Sequence, residues 1–326
     1  ICDCLNASLA VLGMVSAFNH NGKISNIFAK GKINHTGTGA INIGGVVAEN
    51  TSSVISNATG TVTINHDSTE SAVLAGGVAA TNSGEIKNSN ISASINVTNG
   101  SSVKAGGVVA ENNGTIELTV VSGNGIKIAN EVSGDVVLGG VAAVNNATIS
   151  DTTCSMTQVG SLRSGKNDIV GGVAAYNNTA TSKITKVVAG ADLYGNVVGG
   201  VVAYMNSSSD ASIDQVLVGK LDALKTISDN TIKGDKLVAG VVVELGAGSI
   251  SNIQTSSNII GDAHSTRSSL IVLVFQDGTK LTNASINNSC EGNGTFYMDT
   301  WNDFATSTDK DKFGFLSNDA SFNVYS

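Results

Sequence analysis

Apolar and polar positions recur along most of the chain in a fixed order with a period of about 31 residues. The clearest unit is a glycine pair, a short apolar run and an asparagine, as at 44–50 (Gly-Gly-Val-Val-Ala-Glu-Asn). The closing asparagines, spaced 31, 32, 30, 33, 32 and 29 residues apart, are Asn19, Asn50, Asn82, Asn112, Asn145, Asn177 and Asn206. Degenerate copies follow at 239–244 and 270–275. A fixed period of this length is the signature of a solenoid.

An isoleucine, or a leucine in the last copy, follows each unit and marks a second strand in every period. These residues are Ile24, Ile55, Ile86, Ile116, Ile149, Ile184, Ile213, Ile250 and Leu281. A third alternating run precedes the next glycine pair, as at 60–64. Alternation with β-branched residues is typical of strands rather than helices. The sequence therefore predicts an all-β, right-handed parallel β-solenoid (β-helix) of about nine coils, each of roughly 31 residues with three short strands.

The alternation inside the glycine-led unit predicts which side chains face the core. We expect Val46 and Ala48 to point inward and Val47 and Glu49 outward, with the same arrangement in every coil. The outer face would then carry small apolar residues beside the glycines. Such a strip is either covered by the protein's own loops or is a flat surface that packs against another rod. Isoleucines should stack in the core, and asparagine side chains should form hydrogen-bonded ladders.

Composition agrees with thin, regular layers. Apolar residues make up 41% of the chain but aromatic residues only 4%, and proline, which removes a backbone donor, is absent. The net charge of −8 argues against nucleic acid as a partner, since phosphate binding needs clustered Lys and Arg. No apolar run approaches the ~20 residues that a membrane-spanning helix needs, so we expect no membrane span in this segment.

These patterns divide the chain into an N-terminal lead-in at 1–9, the repeat array at 10–289 and an aromatic-rich segment at 290–326. The last segment holds eight of the fourteen aromatic residues: Phe296, Tyr297, Trp301, Phe304, Phe313, Phe315, Phe322 and Tyr325. The open end of a solenoid exposes unpaired strand edges that must be capped or paired. We interpret 290–326 as a C-terminal cap or an assembly segment.

The period resembles the GLUG-type repeat, in which a glycine-led apolar strand and an asparagine turn precede Gly-x-Ile-x-Asn. The best match is residues 13–26 (Gly-Met-Val-Ser-Ala-Phe-Asn-His-Asn-Gly-Lys-Ile-Ser-Asn), followed by Gly31-Lys32-Ile33, and 76–88 is nearly as similar. The resemblance covers roughly residues 10–285. It implies a β-solenoid in a large secreted or surface-anchored protein, often an adhesin or a stalk.

Residues that bind metals form no recognisable motif. The histidines, His20, His35, His66 and His264, fall in different coils without ligand spacing. The aspartates of the C-terminal segment match no calcium loop. We predict no metal site and no cofactor.

Catalysis on polysaccharides would need paired carboxylates along one groove. Glu49, Glu111 and Glu244 come from separated coils. Four aspartates of a less regular region are candidates for a cluster, although solvated loops explain them equally well: Asp192, Asp210, Asp214 and Asp222. We therefore predict no enzyme activity and no catalytic residues.

Asn-x-Ser/Thr sequons are frequent and suggest N-glycosylation. The candidates are Asn6, Asn34, Asn57, Asn90, Asn96, Asn99, Asn113, Asn146, Asn206, Asn283, Asn287 and Asn293. Asn50 and Asn177 also head sequons, but we expect their side chains in the buried ladder, where they cannot carry a glycan. Asn-rich ladders beside Ser/Thr-rich turns also create sequons without any glycan.

The four cysteines favour an extracellular setting. Cys154 and Cys290 are four coils apart, about 19 Å, beyond the ~7 Å Cα limit of a disulfide. Free buried thiols, bonds to sequence outside this chain, and intersubunit disulfides through Cys2, Cys4 and Cys290 remain open alternatives.

Taken together, these features predict a non-catalytic, extracellular structural glycoprotein: a secreted or cell-surface rod that assembles with itself into a fibril or surface layer. Its expected partners are other copies of the chain and covalent N-glycans. A carbohydrate- or cell-binding adhesin is one alternative, with extracellular carbohydrate as the partner. A polysaccharide-active β-helix enzyme is the second.

Overall fold

The computed structural model describes residues 2–4, 9–161, 163, 166–205, 210–222, 226–263, 266–275, 280–292 and 295–296. Within these ranges the chain is all-β and contains no helix. Strands of successive coils, about 31 residues apart, stack in parallel and in register over about 8 turns. The parallel β-solenoid that the sequence predicts is confirmed.

The strands of the described residues, in chain order, are β1 Cys2–Cys4, β2 Leu9–Gly13, β3 Ser16–His20, β4 Lys23–His35, β5 Ala40–Gly44, β6 Val47–Thr51, β7 Val54–Asp67, β8 Ala72–Gly76, β9 Ala79–Asn82, β10 Glu85–Lys87, β11 Asn90–Asn99, β12 Ser102–Gly106, β13 Val109–Asn112, β14 Thr115–Glu117, β15 Val120–Ile128, β16 Val136–Gly139, β17 Ala142–Asn145, β18 Thr148–Met156, β19 Gln158–Ser161, β20 Ile169–Gly171, β21 Ala174–Asn177, β22 Lys183–Ala189, β23 Asp192–Gly199, β24 Val202–Met205, β25 Ser212–Val218, β26 Lys220–Leu221, β27 Ile227–Ser228, β28 Asn230–Ala239, β29 Val242–Leu245, β30 Ser249–Gly261, β31 Arg267–Ser269, β32 Val272–Phe275, β33 Lys280–Gly292 and β34 Thr295–Phe296.

Two parallel sheets form the walls of the solenoid. The smaller sheet takes one strand from each coil, directly after the glycine pair, and has nine strands: β3, β6, β9, β13, β17, β21, β24, β29 and β32. The larger sheet has 23 strands and contains the rest of each coil. Among the described strands, antiparallel pairing is confined to a small hairpin of β26 and β27. The nine strands of the smaller sheet agree closely with the nine coils predicted.

The predicted isoleucine column lies in the core. Ile55, Ile86 and Ile116 are Cα partners in successive coils, and each is 0% exposed. The column continues in register to Leu281, which is 2% exposed. Stacking like residues buries each isoleucine between two others, so the repeat itself generates the core.

A corner of left-handed backbone follows each isoleucine two residues later. Its residues have φ between 46° and 56° and are Asn26, Asn57, Asn88, Leu118, Asp151, Lys186, Gln215, Asn252 and Asn283. Asparagine and aspartate tolerate this conformation because their short polar side chains hydrogen-bond locally. The recurring Ile-x-Asn pattern therefore marks a sharp bend of the coil.

Leu118 is the least suitable residue of this corner, because a left-handed conformation costs most L-amino acids about 1–2 kcal/mol and its side chain is 53% exposed. We expect Leu118→Asn to stabilise the protein by about 1 kcal/mol and to raise the midpoint of urea unfolding. The matched control, Asn88→Leu at the same corner one coil earlier, should lower that midpoint. Shifts of the same sign in both variants would contradict the assignment.

The asparagines that close the glycine-led units form a buried ladder, as predicted. Each side-chain Nδ2 donates to the Oδ1 of the next coil at 2.8–2.9 Å, in the order Asn19, Asn50, Asn82, Asn112, Asn145, Asn177. The ladder ends at Asn177, because the next coil places Met205 as its Cα partner. The buried Nδ2 of Asn177 is left without a partner.

Paired strands also occur in the predicted lead-in and in the first part of the predicted C-terminal segment. β1 pairs with β4, and β33 and β34 carry the solenoid on to Phe296. The rest of the predicted cap, together with Asn6, Asn206 and Asn293, lies outside the described residues.

Candidate functional site: an outer groove along the glycine bends

In the six coils that have it, the glycine pair lets the chain fold back sharply between the two sheets. A Cβ on Gly139 would overlap the carbonyl oxygen of Ala142, and one on Gly171 would overlap that of Ala174. Gly139 and Val137 lie on one side of β16, since side chains alternate along a strand, and Val137 is outside the main core. The backbones therefore approach each other on the outer side of the bend, where they form a groove.

This bend overturns the predicted orientation of the glycine-led unit. Val46 faces the core as expected, but Val47, which was expected outside, is also 0% exposed and part of the main core. Ala143 and Ala175, equivalents of Ala48 that were expected inside, are buried in a separate outer cluster. Simple alternation fails here because the chain turns a corner between the two valines. The predicted flat apolar strip of Val47 and its equivalents is therefore wrong.

Two columns of outward side chains line the groove, and both follow the register of the sheets. The column before the glycine pair contains Asn42, Leu74, Lys104, Val137, Ile169, Val197, Leu237 and Arg267. The column after it contains Phe18, Glu49, Thr81, Glu111, Val144, Tyr176, Tyr204 and Glu244.

The N-terminal half of the groove is bridged by polar pairs. Asn42 Nδ2 donates to Glu49 Oε1 at 3.0 Å, and Lys104 Nζ lies 2.6 Å from Glu111 Oε1. These contacts join the two walls across the bend. In these two coils the polar groups of the two walls are therefore paired with each other.

The C-terminal half is instead apolar and open. Its floor consists of small and branched side chains that are at most 8% exposed: Val137, Ala143, Ala175, Val197, Ala203, Ala239, Val243 and Leu273. Tyr176 and Tyr204 stand over this floor with their rings stacked, 5.5 Å between centroids and 19° between planes. An open cleft of about 510 Å³ lies here, lined by these tyrosines with Asn167, Ile169, Val197 and Glu244.

Both tyrosines keep their hydroxyl protons at neutral pH. Burial raises the pKa of Tyr176, with a smaller contribution from Asp135. Burial also raises the pKa of Tyr204, with Tyr176 and Glu244 adding to the effect. The cleft therefore presents two neutral hydroxyl groups, which donate and accept hydrogen bonds, above an apolar floor.

A second cleft of about 240 Å³ lies at the turn before β20. At this turn the Arg163 guanidinium pairs with the Asp168 carboxylate and donates to the carbonyl groups of Val132 and Gly134. The Ser161 hydroxyl also donates to Asp168, which is 0% exposed. These groups satisfy one another, so they anchor the turn and do not offer a free acid.

The aspartates named above as candidates for a catalytic cluster each contact a different partner. Asp192 lies 2.8 Å from Lys220 Nζ, Asp214 accepts from Ser251 at 2.7 Å, and Asp222 accepts from the Thr226 N–H at 2.8 Å; Asp210 is exposed. In the described residues no group of three or more His, Cys, Asp or Glu side chains is placed to hold a metal ion.

Two histidines do meet in the structure. His35 and His66 are Cα partners in adjacent coils, and their Nδ1 atoms are 3.0 Å apart. The spacing of 31 residues, which matches no ligand motif, equals the repeat period. These two histidines lie in different coils, as predicted, but the stacking of adjacent coils brings them together.

The structure describes eleven of the fourteen sequons. Exposed side chains occur at Asn57, Asn90, Asn113, Asn283 and Asn287, whereas partly buried ones occur at Asn34, Asn96, Asn99 and Asn146. Asn50 and Asn177 lie in the ladder at 1% and 0% exposure. Glycosylation itself stays a prediction.

Cys154 is a free thiol in the core, and burial raises its pKa to about 11. The side chains of Cys2, Cys4 and Cys290 lie outside the described residues, so the predicted intersubunit disulfides stay a prediction.

No protein-family model, curated protein or solved structure matches this chain. A search of the described residues finds no helix that is long and apolar enough to cross a membrane.

Proposed function

We propose that this chain is a non-catalytic, extracellular binding rod that holds a neutral saccharide chain in the C-terminal half of its outer groove. The observation that carries the proposal is the Tyr176–Tyr204 stack above an apolar floor. The proposal favours the adhesin over the fibril, since the flat lateral strip that motivated side-by-side packing is buried in the core.

The lining of the cleft supports a ligand that is both apolar and hydroxylated. Ligand sites are typically apolar clefts in which a few polar groups fix the orientation of the ligand. Here Ile169 and Val197 offer apolar contact, and the tyrosine hydroxyls, Asn167 and Glu244 offer hydrogen bonds. A pyranose ring has C–H faces for the first kind of contact and hydroxyl groups for the second.

The groove is less suited to an extended peptide. A peptide that adds to a sheet needs a free strand edge, because its affinity comes from main-chain hydrogen bonds. The walls of this groove are sheet faces, and the strands behind them are already paired with both neighbouring coils, as β21 is with β17 and β24. Side chains are therefore the groups that a ligand meets.

The charge around the cleft favours a neutral saccharide over an acidic one. Glu244 lines the cleft and Asp135 is close enough to Tyr176 to affect its pKa, whereas one cation, Lys236, lies beside it and donates to Asn167. The chain as a whole carries a net charge of −8. A uronic acid polymer would bring like charges together, which is unfavourable.

We expect Tyr204→Ala to lower the affinity for a neutral glycan about tenfold, because aromatic residues at the centre of a site typically contribute more than 1 kcal/mol. A glycan array of neutral and uronic chains would identify the ligand, and calorimetry on wild type and variant would measure the loss. Tyr194→Ala, which removes a partly exposed tyrosine from the other cleft, is the matched control and should bind as wild type does.

Absence of binding to every neutral glycan on the array, or equal binding by the Tyr204 and Tyr194 variants, would contradict the proposal. Binding to acidic chains alone would contradict its charge argument. Native folding of both variants is checked by circular dichroism.

Self-assembly and glycosylation remain compatible with this function and stay predictions. The extracellular setting also stays a prediction, supported by the resemblance to the GLUG-type repeat. The exposed sequons Asn57 and Asn283 lie at the left-handed corner, away from the groove columns, so glycans there would leave the cleft open.

A further inference from the structure

His35 and His66 form a polar pair inside the core of the first two coils, which comprise β2 to β7. They are 1% and 0% exposed, and their rings are stacked with 5.0 Å between centroids. Their Nδ1 atoms are 3.0 Å apart, within hydrogen-bond distance. The packing does not require histidine here, because the next two coils place Val97 and Ile128 at the same position, 1% and 6% exposed.

The hydrogen bond between the rings restricts where their protons lie. A neutral imidazole has one nitrogen that donates and one that accepts. One of the two Nδ1 atoms must therefore donate and the other accept, and the accepting ring carries its own proton on Nε2. Both Nε2 atoms are buried without a hydrogen-bond partner. The pair is thus joined by a single bond between two neutral rings.

An additional proton is unfavourable on either ring while the coils are closed. On the accepting Nδ1 it would set two N–H groups against each other and break the bond. On the bare Nε2 of the donating ring it would place a cation in the core, where charge is costly. Once the coils separate, water solvates both rings and this cost disappears.

The charged groups around the pair do not supply a buried counter-ion. Among the described residues of the first three coils, no Asp or Glu side chain is buried. Asp67 at the end of β7 and Glu70 in the loop that follows are both exposed. On the neighbouring strands, β11 places Val97 and β1 places Cys4 at this position of the column.

The pKa values of the two histidines agree with this geometry. Burial lowers the pKa of His35. Burial also lowers the pKa of His66 to about 4, and the neighbouring His35 adds a smaller effect in the same direction. The Ser68 backbone and the Asp67 carboxylate act in the opposite direction but less strongly.

The pair lies in the less tightly packed part of the rod. In the first coil Leu12 and Ile24 are only partly buried, whereas their Cα partners in the second coil, Ile43 and Ile55, are 0% exposed. Each coil of a solenoid contacts only its neighbours. Sections of low local stability can therefore open while the remaining coils stay folded.

We propose that the first two coils are an acid-sensitive section of the rod, which opens on mild acidification as His35 and His66 take up protons, while later coils stay closed. The stability that the neutral pair retains is complete above pH 6.5, the ordinary pKa of histidine, and is lost as the pH falls towards the lowered pKa. Between pH 7 and pH 5, His66 alone increases the open population about 20-fold.

Hydrogen exchange of the whole chain, measured by mass spectrometry at pH 7 and pH 5 and corrected for the intrinsic pH dependence of amide exchange, tests the proposal. We expect β4 and β7 to lose at least tenfold in protection at pH 5. Strands β13 to β18, which contain no histidine, should keep theirs.

The matched variant combines His35→Val with His66→Val and so carries the side chain that the next coil already buries. Its β4 and β7 should keep their protection at both pH values. His20→Ala removes an exposed histidine and should respond to pH as the wild type does.

Unchanged protection of β4 and β7 in the wild type, or an equal loss in wild type and double variant, would overturn the proposal. An equal loss in β13 to β18 would overturn the local opening in favour of global unfolding. If the double variant does not fold, the wild type is measured in steps between pH 7 and pH 4. A loss that begins only below pH 5, where carboxylates titrate, would then overturn the histidine assignment. None of these outcomes depends on glycan binding by the groove.

Discussion

Replacing Ile86 with aspartate is expected to unfold the central coils, at a cost on the order of 5 kcal/mol or more. Ile86 is 0% exposed and lies between Ile55 and Ile116, so a carboxylate there would be buried without a partner. Each coil also templates its neighbours, and the damage should spread beyond one rung. Far-ultraviolet circular dichroism and the melting temperature would report the loss.

The control for this variant is Asn88→Asp, two residues further along the same coil. It introduces the same side chain at the exposed left-handed corner, where the chain already has an aspartate, Asp151, two coils later. We expect the melting temperature to stay close to that of the wild type. Native β-type dichroism and an unchanged melting temperature in Ile86→Asp would show that the isoleucine column does not face the core.

Removing one asparagine from the middle of the ladder is the second large effect. Asn112 donates to Asn145 Oδ1 at 2.9 Å and accepts from Asn82 Nδ2 at 2.9 Å, with all three side chains fully buried. Asn112→Ala deletes both bonds and leaves a buried donor and a buried acceptor without their ladder partners. We expect a loss of about 2–4 kcal/mol in urea unfolding.

The end of the ladder offers the matched comparison. Asn177 accepts from Asn145, but its own Nδ2 has no partner, because the next coil places Met205 there. Asn177→Ala should therefore cost clearly less than Asn112→Ala. Equal losses at the two positions would mean that the ladder bonds contribute little, and that the asparagines matter for the shape of the turn.

Much of the fold follows from one physical rule, which is that equivalent residues of a solenoid stack on one another. The 31-residue period, the buried Ile86 and the ladder through Asn112 could all be predicted, since each needs only the repeat and strand alternation. The rule fails where the backbone bends. Val47 was placed outside because alternation assumes a continuous strand, whereas the glycine pair turns the chain before it.

The candidate sites were harder to predict because they consist of residues that depart from the repeat. Tyr176 and Tyr204 are ordinary variable positions in the sequence, and only the outer bend gives them a floor. The contact between His35 and His66 could have been predicted, because their spacing of one repeat period places them side by side in adjacent coils. The extra residue in the seventh copy places Met205 at the ladder position in the coil after Asn177, which the repeat spacing alone does not predict.

The buried asparagine ladder also has a dipole of its own along the rod axis. The side-chain amides from Asn19 to Asn145 each donate toward the C-terminal end, and Asn177 accepts the last of these bonds, so the six amide dipoles add along the axis. Such chains polarise one another when they are shielded from water. The row begins with a carbonyl oxygen at Asn19 and ends with an amino group at Asn177. Reversing a single amide inside the ladder would place two amino groups against each other on one side and two carbonyl oxygens on the other. All the amides of the ladder must therefore keep the same orientation.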